Sequence, residues 1–457
     1  MTAIETPLQR LTTAVKRLFF RKKKQTATHL PTLIPRDAHT ISRKYISKHA
    51  LKVLYQLHDA GFKAYLVGGC VRDLLLGREP KDFDVVTNAK PEQVRALFRS
   101  ALIIGRRFRL VHVRFYGEII EVATFRGAAF VTEGLPHQNE HGMLVHDNEY
   151  GRIEDDAIRR DFTINALYYN IADFSVVDYM GGIQDLNAGL LRMIGEPLAR
   201  FREDPVRILR VIRFAAKLGF QIEKETAAAI PASAPLLTHV SSARLFDEIT
   251  KLFFSGNALK TFHLLKDQDL LRYLLPHTTL ALEHPERHQE IALFIDTMLE
   301  QTDARILADK GVNPAFLYAA MLWYPCQLEV QKRLSTTEHR YQAYEEASQS
   351  VINAQMKSIA IPRRLIGILR EIWQMQFQLE KRAPSRVLSL VYLQRFRASY
   401  DFLLLRAVAL PKLAPLADWW TRFYEGDEDQ RAEMITLLRQ KRQASKTKKK
   451  PAQPLPE

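Results

Sequence analysis

The sequence predicts an α/β head followed by an all-α neck and body. Three observations lead there. Up to about residue 188, short β-branched and aromatic runs alternate with stretches of helical periodicity. Several of those runs end at Gly or Gly-Gly turns, and from about residue 190 hardly another strand-like run occurs. A chain of 457 residues exceeds one ordinary core, so roughly two to four domains are expected. The expected order is a basic extension over 1–40, the head over 41–188, a helical neck over 189–255, a helical body over 256–430 and a basic disordered tail over 431–457.

Each element has its own signal. In the extension, the prolines of "PTLIPRD" disfavour helix. "ISKHALKVLYQLHDAG" then sets Ile46, Ala50, Val53, Leu54 and Leu57 on one helical face and stops at Gly61. "KAYLVGG" reads as a short buried strand ending at two glycines, and "VRDLLLG" as a short helix closed by Gly77. "DFDVVT" is a strand, and "KPEQVRALFRS" a helix with Pro91 in its first turn. "LVHVRFYGEIIEVATF" supplies two strands around a turn at Gly117. Residues 127–150 lose apolar periodicity and gain Gly, His and Asn, so a mobile loop is expected there, placed to close over a substrate. "RRDFTINALYYN" reads as an apolar helix following Arg159, Arg160 and Asp161. The cationic, then Pro-rich end "RQKRQASKTKKKPAQPLPE" is expected to be disordered.

Charge and cysteines narrow the function classes. Lys and Arg total 66 against 51 Asp and Glu, a net charge of +15 that points to a polyanionic partner, nucleic acid ahead of an anionic membrane surface. Cys70 and Cys326 are far apart, sit in apolar surroundings and lack zinc-site spacing, which implies a reducing compartment and no structural metal. No apolar run reaches the roughly 18 residues of a membrane span, and the N-terminus lacks a signal-peptide pattern, so a cytoplasmic protein is expected. "LQRLTTAVKRLFFRKKK" (8–24) has helical apolar spacing before a cationic cluster and could lie on a membrane or on RNA; a poorly ordered leader or solvated basic helix is the plainer reading.

"PKDFDV" carries the first chemical signal. Alternation along a strand projects Asp82 and Asp84 to one side while Phe83 packs on the other. Paired carboxylates repel unless a cation or proton lies between them, and Mg²⁺ with oxygen ligands is the common solution. A lone pair of this kind is more often two solvated aspartates on an edge strand, but three neighbours change the balance. In "LVGGCVRD", Gly68 and Gly69 allow backbone amides to approach an anion, and Arg72 adds a guanidinium fork. In "IIEVATF", Glu121 is a single carboxylate within an apolar strand; it reads as a third acidic partner, or else as the mate of Arg126 or Arg107. In "RRDFTIN", Asp161 is either part of the site or a helix N-cap. Farther on, "REDPVRILRVIRF" sets Asp204 ahead of a helix with Arg207, Arg210 and Arg213 at three-residue steps. A carboxylate that accepts and a guanidinium that donates match the edge of adenine or cytosine.

In this order the strings "LVGGCVRDLLLG", "KDFDVVT", "IIEVATFR", "RRDFTINALYYN", "DYMGGIQDL" and "REDPVRILRVIRFAAKLGF" resemble the class II nucleotidyltransferases, the family of tRNA CCA-adding enzymes and bacterial poly(A) polymerases, over about residues 45–260. The basic segment "IIGRRFRLVHVRF" and the body strings "DARILADKGVNPAFLYAAMLWYP" and "REIWQMQFQL" are similar to the poly(A) polymerase branch. Cys70 stands where the family usually has Gly or Ala, and a small thiol fits there. The body histidines, such as His284 and His288, lack the His-Asp pair of some CCA-adding enzymes. The resemblance implies a nucleotidyltransferase-type mixed sheet and template-independent addition of AMP from ATP to an RNA 3′ hydroxyl, with Mg²⁺ as cofactor and release of pyrophosphate by two-metal phosphoryl transfer. It further implies that Asp82 and Asp84 bind the metals, with Glu121 or Asp161 completing the set, and that Gly69 and Arg72, beside Gly68, hold the phosphates. Arg160 and Asp161 would lie in the active site, and Asp204 and Arg207 would read the base with Arg210 and Arg213 nearby. CCA addition to tRNA is the nearest alternative, and an inactive RNA-binding protein on the same fold a remoter one. The expected partners are RNA 3′ ends and ATP, RNA-degradation machinery or an RNA chaperone, and a weak membrane contact through 8–24, for a chain expected to be a monomer.

Overall fold

A computed structural model describes residues 30–105, 109–127, 150–335 and 339–447. The leader at 8–24, most of the expected loop at 127–150 and the last ten residues lie outside them. The described chain forms two compact units, one up to residue 188 and one from residue 189 on.

In the first unit, polar turns break apolar runs into eight short strands: β1 (Thr32–Ile34), β2 (Ala64–Val67), β3 (Asp84–Thr87), β4 (Ala101–Ile104), β5 (Leu110–Phe115), β6 (Glu118–Thr124), β7 (Leu167–Asn170) and β8 (Val176–Asp178). They form one sheet in the order β1-β8-β7-β2-β3-β6-β5-β4. The β3–β6 pair is parallel and every other pair antiparallel. The helix Lys48–Asp59 is capped by the Ser47 side chain and buries Ala50, Val53, Leu54 and Leu57; it packs against β2, β3 and β6. A second cluster, including Val67, Val86, Phe125, Ala157, Tyr168 and Val177, joins the sheet to the helix Ile153–Arg159. The hydrophobic effect thus fixes β2 and β3 at the centre of the head.

Three elements differ from the sequence reading. "TLI", expected inside a polar extension, pairs with β8 as an edge strand, where flanking Pro31 and Pro35 remove no ladder hydrogen bond from the interior of the sheet. "ALII", which the reading left unassigned, pairs with β5 as the opposite edge. "RRDFTINALYYN" is not a helix: a short 3-10 turn at Thr163–Asn165 leads into β7, which hydrogen-bonds to β2 and β8. Its aromatic, β-capable "LYYN" run prefers the pleated surface once two partner strands are present.

The "DYMGGIQDL" string has a direct physical explanation. The buried Asp178 carboxylate accepts three backbone N–H groups, Met180 and Gly182 on Oδ1 and Ile183 on Oδ2, each at 3.0 Å. Gly182 comes so close to the 163–165 turn that a Cβ would lie 2.3 Å from the Thr163 carbonyl oxygen. The Thr163 hydroxyl then donates to Asp185 Oδ2 at 2.7 Å. This string therefore clamps the turn that follows Arg160 and Asp161.

The second unit is helical, with a single two-residue parallel pair, Leu190–Leu191 with Gln221–Ile222, among the described residues. The expected boundary at 255 crosses continuous packing, because the helix Ala258–Asp267 lies against both Val206–Leu218 and Ser242–Phe253. Farther along, Met375, Leu379, Phe396, Tyr400, Trp420 and Phe423 belong to one core cluster, and Trp420 Nε1 donates to Leu379 O at 2.9 Å. Residues 431–447, expected as disordered tail, belong instead to the helix Glu428–Thr447. Met434, Ile435 and Leu438 dock on that cluster and Arg442 Nη2 donates to Lys381 O at 3.0 Å, a helical spacing hidden among cations. No helix among the described residues is long and apolar enough to cross a membrane.

Gly182→Ala forces a methyl group into the Thr163 carbonyl and is expected to destabilise the protein by about 1–3 kcal/mol. Chemical denaturation of parent and variant checks this, and an unchanged midpoint would contradict the clamp.

Candidate active site

β2 ends at Val67, which pairs with Asp84 across the antiparallel ladder. Gly68 follows with φ +78° and ψ −133°, a conformation an L side chain rarely adopts, and Gly69 begins the helix Gly69–Leu75. The register thus brings the Gly-Gly turn beside the start of β3. Arg72 departs from the expected open fork. It is only 2% exposed; Nε donates to Asp73 Oδ1 at 2.8 Å and Nη1 to Asn165 Oδ1 at 2.7 Å. A Cβ on Gly69 would stand 3.6 Å from Arg72 Nη2. Burial of so costly a cation is tolerated because its donors are satisfied, and the result is a guanidinium packed against the turn.

Phe83 is buried while Asp82 and Asp84 are exposed, the alternation expected of an extended segment. The regular strand begins only at Asp84, with Asp82 just ahead of it. On the other side, β3 pairs in parallel with β6 so that Asp84 stands in register with Glu121. The Asp84 carboxyl is pushed up from 3.8 to about 6. Loss of hydration under the surrounding protein is the main cause, although the residue remains accessible to solvent. The negative charges of Glu121 and Asp82 raise it further, while Arg160 opposes them.

Glu121 also differs from the expectation of a buried acid. Its side chain is 52% exposed, and its partner is His112 Nε2 at 3.2 Å rather than Arg126; Arg107 lies outside the described residues. His112 pairs with Glu121 across the β5–β6 hairpin. A two-residue turn at Tyr116-Gly117 sets that pairing.

Arg160 sits where the helix Ile153–Arg159 ends. Its Nη2 lies 3.0 Å from Asp156 Oδ2, and Nε donates to the Tyr168 hydroxyl at 3.0 Å, which in turn donates to Asp156 Oδ2 at 2.8 Å. Burial alone would lower the Arg160 pKa, but Tyr168 and Asp156 outweigh it and hold the guanidinium above its ordinary value. A Cβ on Gly68 would be 3.5 Å from Arg160 Nη1, which places a fixed cation beside the turn. Asp161 caps no helix: Oδ1 accepts from Phe162 N at 2.8 Å and from Asn165 Nδ2 at 3.2 Å. Asn165 therefore links Arg72 to Asp161. Asn165, Asp156 and Tyr168 are positioning residues that sequence reasoning missed.

Cys70 lies beneath this region, its Sγ 3.3 Å from Val67 O and its thiol pushed up to about 12 by burial. It remains a neutral spacer. Among the described residues no three His, Cys, Asp or Glu side chains converge into a ready-made metal cage. The chemistry of the donors still fits Mg²⁺, which is commonly held by one or two carboxylates together with substrate phosphates rather than by an all-protein cage. Asp82 and Asp84, with Glu121 in register, supply hard oxygen ligands whose mutual repulsion a cation would relieve.

In the second unit, Asp204 lies between the helices Pro197–Glu203 and Val206–Leu218. Its Oδ1 accepts from Val206 N at 3.3 Å and its Oδ2 from Arg244 Nη2 at 2.8 Å. Arg207 Nη1 donates to Arg200 O at 2.8 Å and to Glu203 Oε2 at 2.9 Å, and Arg200 Nη1 reaches the same carboxylate oxygen at 2.7 Å. Arg200, Glu203 and Arg244, which the sequence analysis does not single out, are thus the hydrogen-bond partners of Asp204 and Arg207. Arg207, Arg210 and Arg213 form a partly exposed stripe on a largely buried helix whose last turn also exposes Lys217, with Arg210 and Arg213 lying 5.8 and 5.1 Å from the Phe214 ring centroid.

Comparison with known proteins shows the family. Residues 64–192 match the Poly A polymerase head domain, 219–282 the probable RNA and SrmB- binding site of polymerase A, and 336–454 the polymerase A arginine-rich C-terminus. The chain is 48% identical over 415 residues to poly(A) polymerase I of Salmonella typhi, covering 89% of each. It is 39% identical over 302 residues to the CC-adding tRNA nucleotidyltransferase of Halalkalibacterium halodurans, covering 64% of this chain and 70% of that protein. The crystal structure of Bacillus stearothermophilus CCA-adding enzyme in complex with CTP superimposes with a TM-score of 0.55 at 27% identity, covering 82% of this chain and 81% of that one.

A carboxyl whose pKa is raised on folding stabilises the fold below its unfolded value and loses that contribution as pH rises through the folded value. For Asp84 the loss is expected between about pH 4 and pH 6, so its ionised form destabilises the metal-free protein at neutral pH. Metal-free Asp84→Asn is therefore expected to melt above the parent near pH 7.5, with the gap closing near pH 4. A gap independent of pH would contradict the electrostatic reading.

Proposed function

This chain belongs to the bacterial poly(A) polymerase I family of nucleotidyltransferases, and we propose that Asp82 and Asp84 are the carboxylates on which its reaction depends. The enzyme adds AMP from ATP to the 3′ hydroxyl of RNA without a template. The hydroxyl oxygen gives up its proton to solvent and bonds to the α-phosphorus, the bond from that phosphorus to the oxygen bridging to the β-phosphate breaks, and pyrophosphate leaves with that oxygen.

The observation that carries the site assignment is the register of β3: Asp84 faces the end of β2 and the Gly-Gly turn on one side and Glu121 on the other. Asp82 and Asp84 would hold two Mg²⁺, with Glu121 or Asp161 completing or orienting the set. When bound, these ions lower the pKa of the attacking hydroxyl and offset charge on the leaving group. Gly68 and Gly69 let backbone amides approach the phosphates, Arg160 supplies a fixed positive charge beside them, and Arg72 keeps the turn in place from within. In the second unit, Asp204 accepts from the adenine amino group and Arg207 donates to the neighbouring ring nitrogen, with Glu203 aligning Arg207 and Arg210 and Arg213 adding positive charge. A purine or pyrimidine with the opposite donor and acceptor order leaves this pair unsatisfied, which rejects it.

RNA binds as the substrate, and the excess of cations holds its backbone with strong salt dependence. The proposal extends to a cytoplasmic monomer that meets RNA-degradation machinery or an RNA chaperone, with residues 8–24 as the segment for any weak membrane contact.

Incorporation of each labelled nucleotide, with Mg²⁺, onto a generic RNA and onto a tRNA lacking its CCA end tests the function. Long A-only extension of the generic RNA is expected; addition confined to the tRNA that stops after C, C and A would assign the sister activity. Asp82→Ala and Asp84→Ala are each expected to lower turnover by more than about 1000-fold while leaving RNA affinity within about twofold, measured by filter binding. Lost RNA binding with retained turnover would contradict the metal assignment.

A further inference from the structure

We propose that a cavity of about 600 Å³ in the helical unit binds one nucleobase of the RNA strand, upstream of the 3′ end; this rests on the reading of RNA as the substrate. Nothing in the chemistry described above uses this cavity. Its size falls within the range of sites that enclose small organic ligands.

The lining has the polarity of a base. Phe254, Phe316 and Leu404 supply apolar surface, and Phe316 is held edge-on against Phe402 with centroids 5.7 Å apart. A nucleobase has two apolar faces, and stacking on an aromatic ring is tolerant of sequence. Polar side chains suit its edge. Gln301 and Asn313 both line the cavity; Asn313 spends Oδ1 on Ala315 N at 2.9 Å, so its amide hydrogens can donate to a ring nitrogen or carbonyl.

The rim also suits a phosphodiester. Two guanidiniums, Arg305 and Arg397, and a single carboxylate, Asp401, belong to the lining. Arg397 is fixed by that carboxylate, with Nε 3.0 Å from Asp401 Oδ1, and lies 5.8 and 5.6 Å from the Tyr400 and Tyr424 ring centroids. Arg305 Nη2 donates to Gly311 O at 3.0 Å. Both guanidiniums are thus held in place, and the net single positive charge balances one bridging phosphate of a chain better than the several charges of a free triphosphate. A nucleotide of the RNA strand is therefore the occupant the lining fits.

The test uses the full chain in the presence of a chelator, so that binding is read without turnover. Ala304→Trp, on an exposed position of the cavity wall, fills the space, and Arg397→Ala removes a rim cation. Fluorescence anisotropy compares their affinities for a long and a short oligoadenylate, and 2-aminopurine walked along the long one reports which residue becomes stacked. Both variants are expected to bind the long oligoadenylate about 5- to 100-fold more weakly than the parent, to bind the short one equally, and to lose a quench seen at one interior position. Unchanged affinity for the long oligoadenylate in folded Ala304→Trp, or occupancy of the cavity by free AMP but not by RNA, would overturn the inference while leaving the polymerase reading intact. A parent chain that binds neither oligoadenylate would overturn that reading as well.

Discussion

Like charges held together by a sheet are the constraint from which the head is organised. The antiparallel pairing of β2 with β3 and the parallel pairing of β3 with β6 set Asp84 next to Glu121 and one residue beyond Phe83, whose burial anchors the segment carrying Asp82. Ionised Asp84 is disfavoured in the metal-free protein, chiefly by its loss of hydration and further by the charges of Glu121 and Asp82. The cluster persists because the central strands bury apolar side chains on both faces, and those contacts outweigh the repulsion. A site of this kind gains more from a bound cation than a neutral one would.

The surrounding polar residues form two buried linkages that hold the neighbouring turns. One runs from Asp156 through Tyr168 to Arg160, and the other from Asp73 through Arg72 and Asn165 to Asp161. These hydrogen bonds hold the guanidiniums of Arg160 and Arg72 within the fold, so that a cation beside the Gly-Gly turn keeps one orientation without substrate. The Asp178 and Gly182 contacts brace the same segment from behind. Most of the residues in the recurring sequence strings thus prepare geometry, and few of them are free to touch a substrate.

Much of this was legible in the sequence, for physical reasons that vary by residue. Alternation predicts Asp82, Phe83 and Asp84 correctly because a period of two survives any tertiary arrangement. The Gly-Gly turn was visible because few other residues adopt the Gly68 conformation. The burial of Arg72 is not legible locally because it depends on a partner distant in sequence, Asn165, as well as on adjacent Asp73. Glu121 was expected in the interior because its strand neighbours are apolar, whereas its face of the sheet is open to solvent and His112. "LYYN" was read as helix because short apolar runs carry no decisive period, and only the flanking strands settle the matter. The "TLI" edge strand and the last helix were obscured by prolines and by cations, each of which dominates composition while leaving the underlying spacing intact.

Metal binding by the carboxylates is the most direct test. Mn²⁺, as a paramagnetic stand-in for Mg²⁺, can be titrated into the full chain with a non-reactive ATP analogue and followed by electron paramagnetic resonance, for the parent and for Asp82→Asn. The parent is expected to bind Mn²⁺ more tightly with the analogue present, and the variant to lose that binding. Equal Mn²⁺ binding by both proteins would contradict the assignment of the β3 carboxylates as the metal site.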